Sequence, residues 1–222
     1  MLKNPLYLIK GVFGRTFYIF PQRPERIQIE ITNRCNYTCG MCPRESFNLP
    51  EKDIPLDLFK KIIDRLAPFS EKGLETPYNV TLTGWGEPLI HPALMDMIVY
   101  TKDKGHNVGV TTNGLLLAPF IEKFIEKSLE KLTISLDSVE EGVEVKEGHP
   151  SNKVVQKNIE SLIRSRGDKK KPMITIQITM HGKKQCLETV KYAGEVGVDR
   201  VYLVRLNIPF GMNSFKRPNL EE

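Results

Sequence analysis

The chain has 222 residues, a formal net charge of +5, and 40% hydrophobic and 27% charged residues. That composition suits one domain with a sizeable core and excludes a disordered chain, and no apolar run approaches the ~18 residues of a membrane span. The basic excess, partly gathered at Lys169, Lys170 and Lys171, lacks interleaved aromatics, which disfavours nucleic acid as a partner. Lys10, Arg15 and Pro21 interrupt the apolar N-terminal stretch and no small-residue cleavage site follows, so a cytoplasmic chain without a signal peptide is expected.

In chain order, residues 26–31 (RIQIEI) read as a strand and 55–66 as a helix opened by Pro55. Residues 78–83 are a second strand, 92–104 a helix stopped by Gly105, and 107–112 a third strand. A helix over about 116–129 leads to a fourth strand at 131–136, and a helix over 151–166 to a fifth at 172–180. A helix over 185–196, closed by Gly197, precedes a sixth strand at 200–206. Strands alternating with helices imply a parallel sheet built from crossovers. The pattern alone does not choose between an open doubly wound sheet and a barrel; in both, function gathers at the carboxyl ends of the strands.

Four cysteines are too few for a disulfide scaffold, and three of them follow the first strand as C-x3-C-x2-C: Cys35, Cys39 and Cys42. Three thiolates on one short loop can wrap a metal centre in a reducing compartment. A structural zinc ion or an electron-transfer [4Fe–4S] cluster wants four protein ligands, whereas three leave one iron open. Cys186, inside the fifth predicted helix, reads as a buried, inert residue.

The later strands end on Thr83-Gly84-Trp85-Gly86-Glu87-Pro88, on Thr111-Thr112-Asn113-Gly114 and on Ile134-Ser135-Leu136-Asp137. Glycines admit close backbone approach, and a neighbouring carboxylate can accept from an ammonium. Taken singly, these strings equally describe a Gly-Pro turn, an Asn-Gly turn and a helix-entry cap. For Trp85, the sole tryptophan, lining a cavity and packing in the core both fit. Gln177 and Thr179 alternate with Ile178, so one set faces the interior of the sheet's curve. Arg205 could meet an acidic group but reads better as a surface ion pair. His91, His106, His149 and His181 lack metal-ligand spacing with one another and are not expected to be catalytic.

The strings C-N-Y-x-C-x-M-C-P-R, G-E-P-L-x-H-P, T-T-N-G and I-S-L-D, in that order, resemble the radical S-adenosylmethionine (radical SAM) superfamily over residues 26–206. The likeness is to its SPASM and molybdenum-cofactor-biosynthesis branch. It implies an α/β fold, a partial TIM barrel (β/α)6 of parallel strands, over residues 25–206. Residues 1–24 are then an N-terminal extension and 207–222 a C-terminal tail, with truncation before an auxiliary-cluster domain one reading of the ending. It implies an enzyme with a [4Fe–4S] cluster on Cys35, Cys39 and Cys42, the fourth iron chelated by SAM. Reductive cleavage of SAM would give a 5′-deoxyadenosyl radical that abstracts hydrogen from a peptide or small-molecule substrate. Implied SAM contacts are Met41 and Met180 near the adenine, Gly86 and Glu87 at the amino group, Thr112 and Asn113, and Ser135, with Asp137 in support. No catalytic side chain beyond the cluster and SAM is assigned. An electron donor such as flavodoxin or ferredoxin is implied as a partner. The rival readings are a non-catalytic iron–sulfur electron-transfer or sensor protein and a zinc-binding module.

Overall fold

The computed structural model describes residues 7–10, 16–19, 26–39, 41–44, 49–66, 70–71, 74–75, 78–140 and 152–205. Near the start, β1 (Tyr7–Lys10) and β2 (Thr16–Ile19) form an antiparallel pair. There follow β3 (Arg26–Ile29), α1 (Leu56–Leu66), and a second small antiparallel pair, β4 (Ser70–Glu71) with β5 (Leu74–Glu75). The repeating units are then β6 (Asn79–Leu82) with α2 (Leu94–Asp103), β7 (Asn107–Thr112) with α3 (Ile121–Glu126), and β8 (Lys131–Ser135) with α4 (Asn152–Arg166). Finally β9 (Met173–Met180), α5 (Lys183–Val196) and β10 (Arg200–Arg205) complete the described chain.

Six strands form one parallel sheet in the order β3-β6-β7-β8-β9-β10. Because that order never reverses, crossovers of one hand carry every helix to the same face. A doubly wound sheet needs a reversal. The sheet therefore curls into a half-barrel, as the resemblance implied. Its helix-facing side is apolar at every second residue: Val80 and Leu82, Val108 and Val110, Leu132 and Ile134, Ile174, Ile176 and Ile178 are all buried. Phe59 and Ile63 of α1, Met97 and Ile98 of α2, Phe124 of α3, and Ile159 and Leu162 of α4 meet them from outside.

The helix expected over 116–129 is shorter. A 3-10 turn at Ala118–Phe120 comes first and α3 starts at Ile121, because Pro119 fits only in a first turn. The two small hairpins were not anticipated; β4 and β5 have two residues each, too few to show alternation. The expectations for His149 and for residues 207–222 lie outside the described residues. No helix among the described residues is long and apolar enough to cross a membrane.

Candidate active site at the rim of the half-barrel

The cysteine loop leaves β3 at the carboxyl end of the sheet and is pinned by the segment that returns from it. Thr32 bridges to Asp53 in antiparallel fashion, the Asn33 amide donates to the Lys52 carbonyl at 3.1 Å, and the Lys52 amide donates to Asn33 Oδ1 at 2.6 Å. Arg34 grips Asp53 with two hydrogen bonds, Nε to Oδ1 at 3.0 Å and Nη2 to Oδ2 at 2.6 Å. Partial burial works against ionising Asp53, but the Arg34 and Thr32 hydrogen bonds prevail and hold it below the usual carboxylate range. On this base sit Cys35, Cys39 and Cys42, all half-buried, the Cys42 amide donating to the Cys39 carbonyl at 2.8 Å in a tight turn. Burial pushes the Cys35 thiol up, with the Tyr37 backbone amide opposing it, so an electropositive partner is what would favour the thiolate.

The glycine loop after β6 is locked onto the cysteine loop. A Cβ on Gly86 would lie 2.1 Å from the Thr32 carbonyl oxygen, so only glycine fits there. The Glu87 amide donates to the Arg34 carbonyl at 2.7 Å. Glu87 itself is 2% exposed. Its Oε1 accepts from Thr112 Oγ1 at 2.7 Å and from the Leu89 amide at 2.9 Å, and its Oε2 accepts from the Asn113 amide at 2.7 Å. The carboxylate thus acts as a buried fastener between two strand ends. Asn113 extends the chain of contacts, its Nδ2 donating to Asn36 Oδ1 at 2.8 Å, back on the cysteine loop. From α4, Asn158 Nδ2 holds the Gly114 and Leu115 carbonyls at 2.9 and 3.1 Å.

Ser135 ends β8, in register with Gln177 of β9. Asp137 is buried and accepts from the Thr179 amide at 2.8 Å, which ties the ends of β8 and β9 together. Ser138 makes a local turn, its Oγ accepting from the Glu140 amide at 3.1 Å, and no helix begins among the described residues there. Met180 closes β9, half-buried against the core. Met41 lies half-buried on the cysteine loop, beside the Cys39–Cys42 turn. Trp85 is 46% exposed and lines a cavity inside the sheet's curve, which settles it as a lining residue rather than core. Arg205 is exposed on the edge strand, in register with Met180. His91 is structural: its Nδ1 accepts from the Ala93 amide at 3.1 Å, so Nε2 donates to the Ile54 carbonyl at 3.1 Å. His106 is buried too, its Nδ1 accepting from the Tyr78 amide at 3.4 Å. Cys186 is buried in α5. Reading the sequence missed the Asp53 return, although an acid 19 residues from Arg34 carries no local signal. It also missed Asn36, inside the cysteine motif, and Glu30, in the first predicted strand.

Three half-buried thiols on one rim loop, beside a backbone cradle that admits no Cβ, fit a cluster that Cys35, Cys39 and Cys42 would hold through three corners. Among the described residues no three His, Cys, Asp or Glu side chains converge as closely as a single metal ion requires.

Comparison with known proteins agrees with this geometry. Residues 29–213 match the family model described as the radical SAM superfamily. A tungsten-containing aldehyde ferredoxin oxidoreductase cofactor-modifying protein of Pyrococcus furiosus is 31% identical over 186 residues, covering 81% of this chain and 51% of that protein. A probable GTP 3′,8-cyclase of Sulfolobus acidocaldarius is 29% identical over 206 residues, covering 92% of this chain and 60% of its own length. The chain therefore spans about half to three-fifths of these curated relatives. In fold it resembles Streptococcus suis SuiB bound to S-adenosylmethionine, with a TM-score of 0.69 at 15% identity over 88% of this chain and 44% of that one. With a family model covering most of its length and relatives on the molybdenum-cofactor side, the chain belongs to the radical SAM superfamily, a family of enzymes that use a [4Fe–4S] cluster and S-adenosylmethionine.

Proposed function

We propose that this chain is the core of a radical SAM enzyme acting on a small molecule in cofactor biosynthesis. Cys35, Cys39 and Cys42 would hold the cluster, leaving one iron for the amino and carboxylate groups of SAM. The Gly84–Gly86 backbone would receive the amino group, Ser135, Thr112 and Asn113 would border the ribose and carboxylate, and Met41 and Met180 would flank the adenine. Glu87 would serve by fixing the backbone that meets the amino group. Bound together, cluster and SAM supply a 5′-deoxyadenosyl radical; the protein's part is to hold both in register and keep water out. A low-potential donor such as flavodoxin or ferredoxin belongs to this reading.

The observation that carries it is the closed circuit of contacts linking three separate strand ends: Gly86 and Glu87 on the cysteine loop, Glu87 on Thr112 and Asn113, and Asn113 back on Asn36. A cluster that only passes electrons has no use for such a cradle beside its open corner. The likeness to a cofactor-modifying protein and to a cyclase supports a small molecule over a peptide. Anaerobic reconstitution with iron and sulfide, followed by SAM and a strong reductant, should release 5′-deoxyadenosine. An intact cluster with bound SAM and no product would favour the electron-transfer reading.

A further inference from the structure

Strand alternation that sends isoleucine and valine to the helices sends a different set to the concave face. At one level of the sheet Thr111 pairs with Thr133, and Thr133 with Thr175. Thr83 stands beside Thr111, one residue beyond the Leu82–Val110 pair, and Glu30 lies one residue beyond the Ile29–Leu82 pair. Closed eight-stranded barrels fill this face with valine, isoleucine and leucine. Here it is a row of hydroxyls. Thr175 is fully buried and its Oγ1 has no hydrogen-bond partner. It is too enclosed to meet a ligand itself, so the accessible hydroxyls of the row are those of Thr83 and Thr111.

Above this row is a cavity of about 440 Å³, the size of a small-molecule site. Gln28, Glu30, Thr83, Thr111 and Gln177 line it, with Trp85 at its edge. The described lining side chains can all form hydrogen bonds, the Trp85 indole as a donor only, and the single formal charge among them is the carboxylate of Glu30. That carboxylate is held in place by the glycine loop. Its Oε1 accepts from the Trp85 amide at 2.7 Å, and a Cβ on Gly84 would lie 2.4 Å from the same oxygen. Of the cations on the concave face, Lys131 Nζ lies 4.6 Å from the Tyr202 ring centroid, Arg200 hydrogen-bonds the Tyr202 phenol, and Arg26, two residues before Gln28 on β3, is exposed outside the cavity lining. Among the described residues no lysine or arginine lines the cavity.

We infer that this cavity is the substrate site and that it takes a small, hydroxyl-bearing molecule carrying a protonated amine, the amine seated on Glu30 and the hydroxyls on Gln28, Thr83, Thr111 and Gln177. The inference rests on the enzyme reading above. An apolar amine would leave the lining hydroxyls and amides unpaired, and a polyanion such as a nucleoside triphosphate would meet a carboxylate and no counter-charge among the described lining residues.

The test uses the cluster-reconstituted protein and isothermal titration with five probes: glucosamine, glucose, glucuronate, hexylamine and GTP. Glucosamine should bind about fivefold or more tighter than glucose or hexylamine, and glucuronate and GTP should bind more weakly still. Glu30→Gln, which keeps an acceptor for the Trp85 amide, should bring glucosamine down to the level of glucose. Preference for glucuronate or GTP by the wild-type protein would overturn the inference without recourse to any variant, and so would a glucosamine preference that survives Glu30→Gln. The same preparation is assayed for 5′-deoxyadenosine in parallel. SAM cleavage without amine preference sinks the substrate class alone, whereas amine preference without SAM cleavage sinks the enzyme reading and leaves the selectivity of the cavity standing.

Discussion

Among the four cysteines, position in the fold separates the proposed ligands from a packing residue. Cys39 lies half-buried on the rim loop, while Cys186 is buried in α5 with its thiol against Gln185 Oε1 at 3.4 Å. Cys39→Ala should abolish iron retention after reconstitution and Cys186→Ala should leave it unchanged; equal loss of iron in both would refute the ligand assignment. Glu87 is a residue whose type was legible in the sequence but whose work was not. A carboxylate beside two glycines suggests an acceptor for an ammonium, yet both oxygens already accept from Leu89, Thr112 and Asn113. Glu87→Ala leaves two amides and a hydroxyl in a buried site without their acceptor. It should cost about 1–3 kcal/mol of stability and lower SAM affinity about tenfold or more while iron stays bound. Undiminished SAM affinity in equilibrium dialysis would count against a role in the cradle.

At the scale of elements, the cysteine loop depends on a segment that follows it by some twenty residues, through Thr32, Asn33 and Arg34 against Lys52 and Asp53. Asp53 titrates below its ordinary value in the folded protein, so the stability it contributes is present above the unfolded carboxylate value, about pH 3.9. That contribution is lost as pH falls through the lower folded value. Asp53→Asn should therefore melt at a lower temperature than wild type at pH 7, and the gap should narrow below about pH 4. A gap that is constant across this range would show that the charge is not what pins the loop. The loop after β7 shows the same dependence on a distant element, since Asn158 of α4 holds its carbonyls.

At the scale of the whole molecule, the described residues centre on one six-stranded sheet curled around a polar face, with an apolar layer between its strands and the helices. Phe124 of α3 is fully buried in that layer and stacks on Phe120 with ring centroids 5.6 Å apart. Phe124→Ala should cost about 3–5 kcal/mol. Because Trp85 is the sole tryptophan and sits at the rim, its fluorescence reports on the site while circular dichroism reports on the helices. The two unfolding curves of the variant should shift together if rim and core are one cooperative unit. Separate shifts would show that the rim unfolds independently.

Six strand positions, the order of the motifs and the C-x3-C-x2-C spacing of the cysteine loop could be read directly from the residues, because alternation, helical period and spacing are properties of neighbours along the chain. The helix cut short by Pro119 was legible in principle, the proline being in plain view. The curl of the sheet was not, nor was the contact of Asn113 with Asn36 across 77 residues, nor the hold of the glycine loop on Glu30 across 55. Those depend on which strands pair and in what register. A register aligns residues that no local pattern associates, and here it turned scattered threonines into one row and three separate strings into one rim.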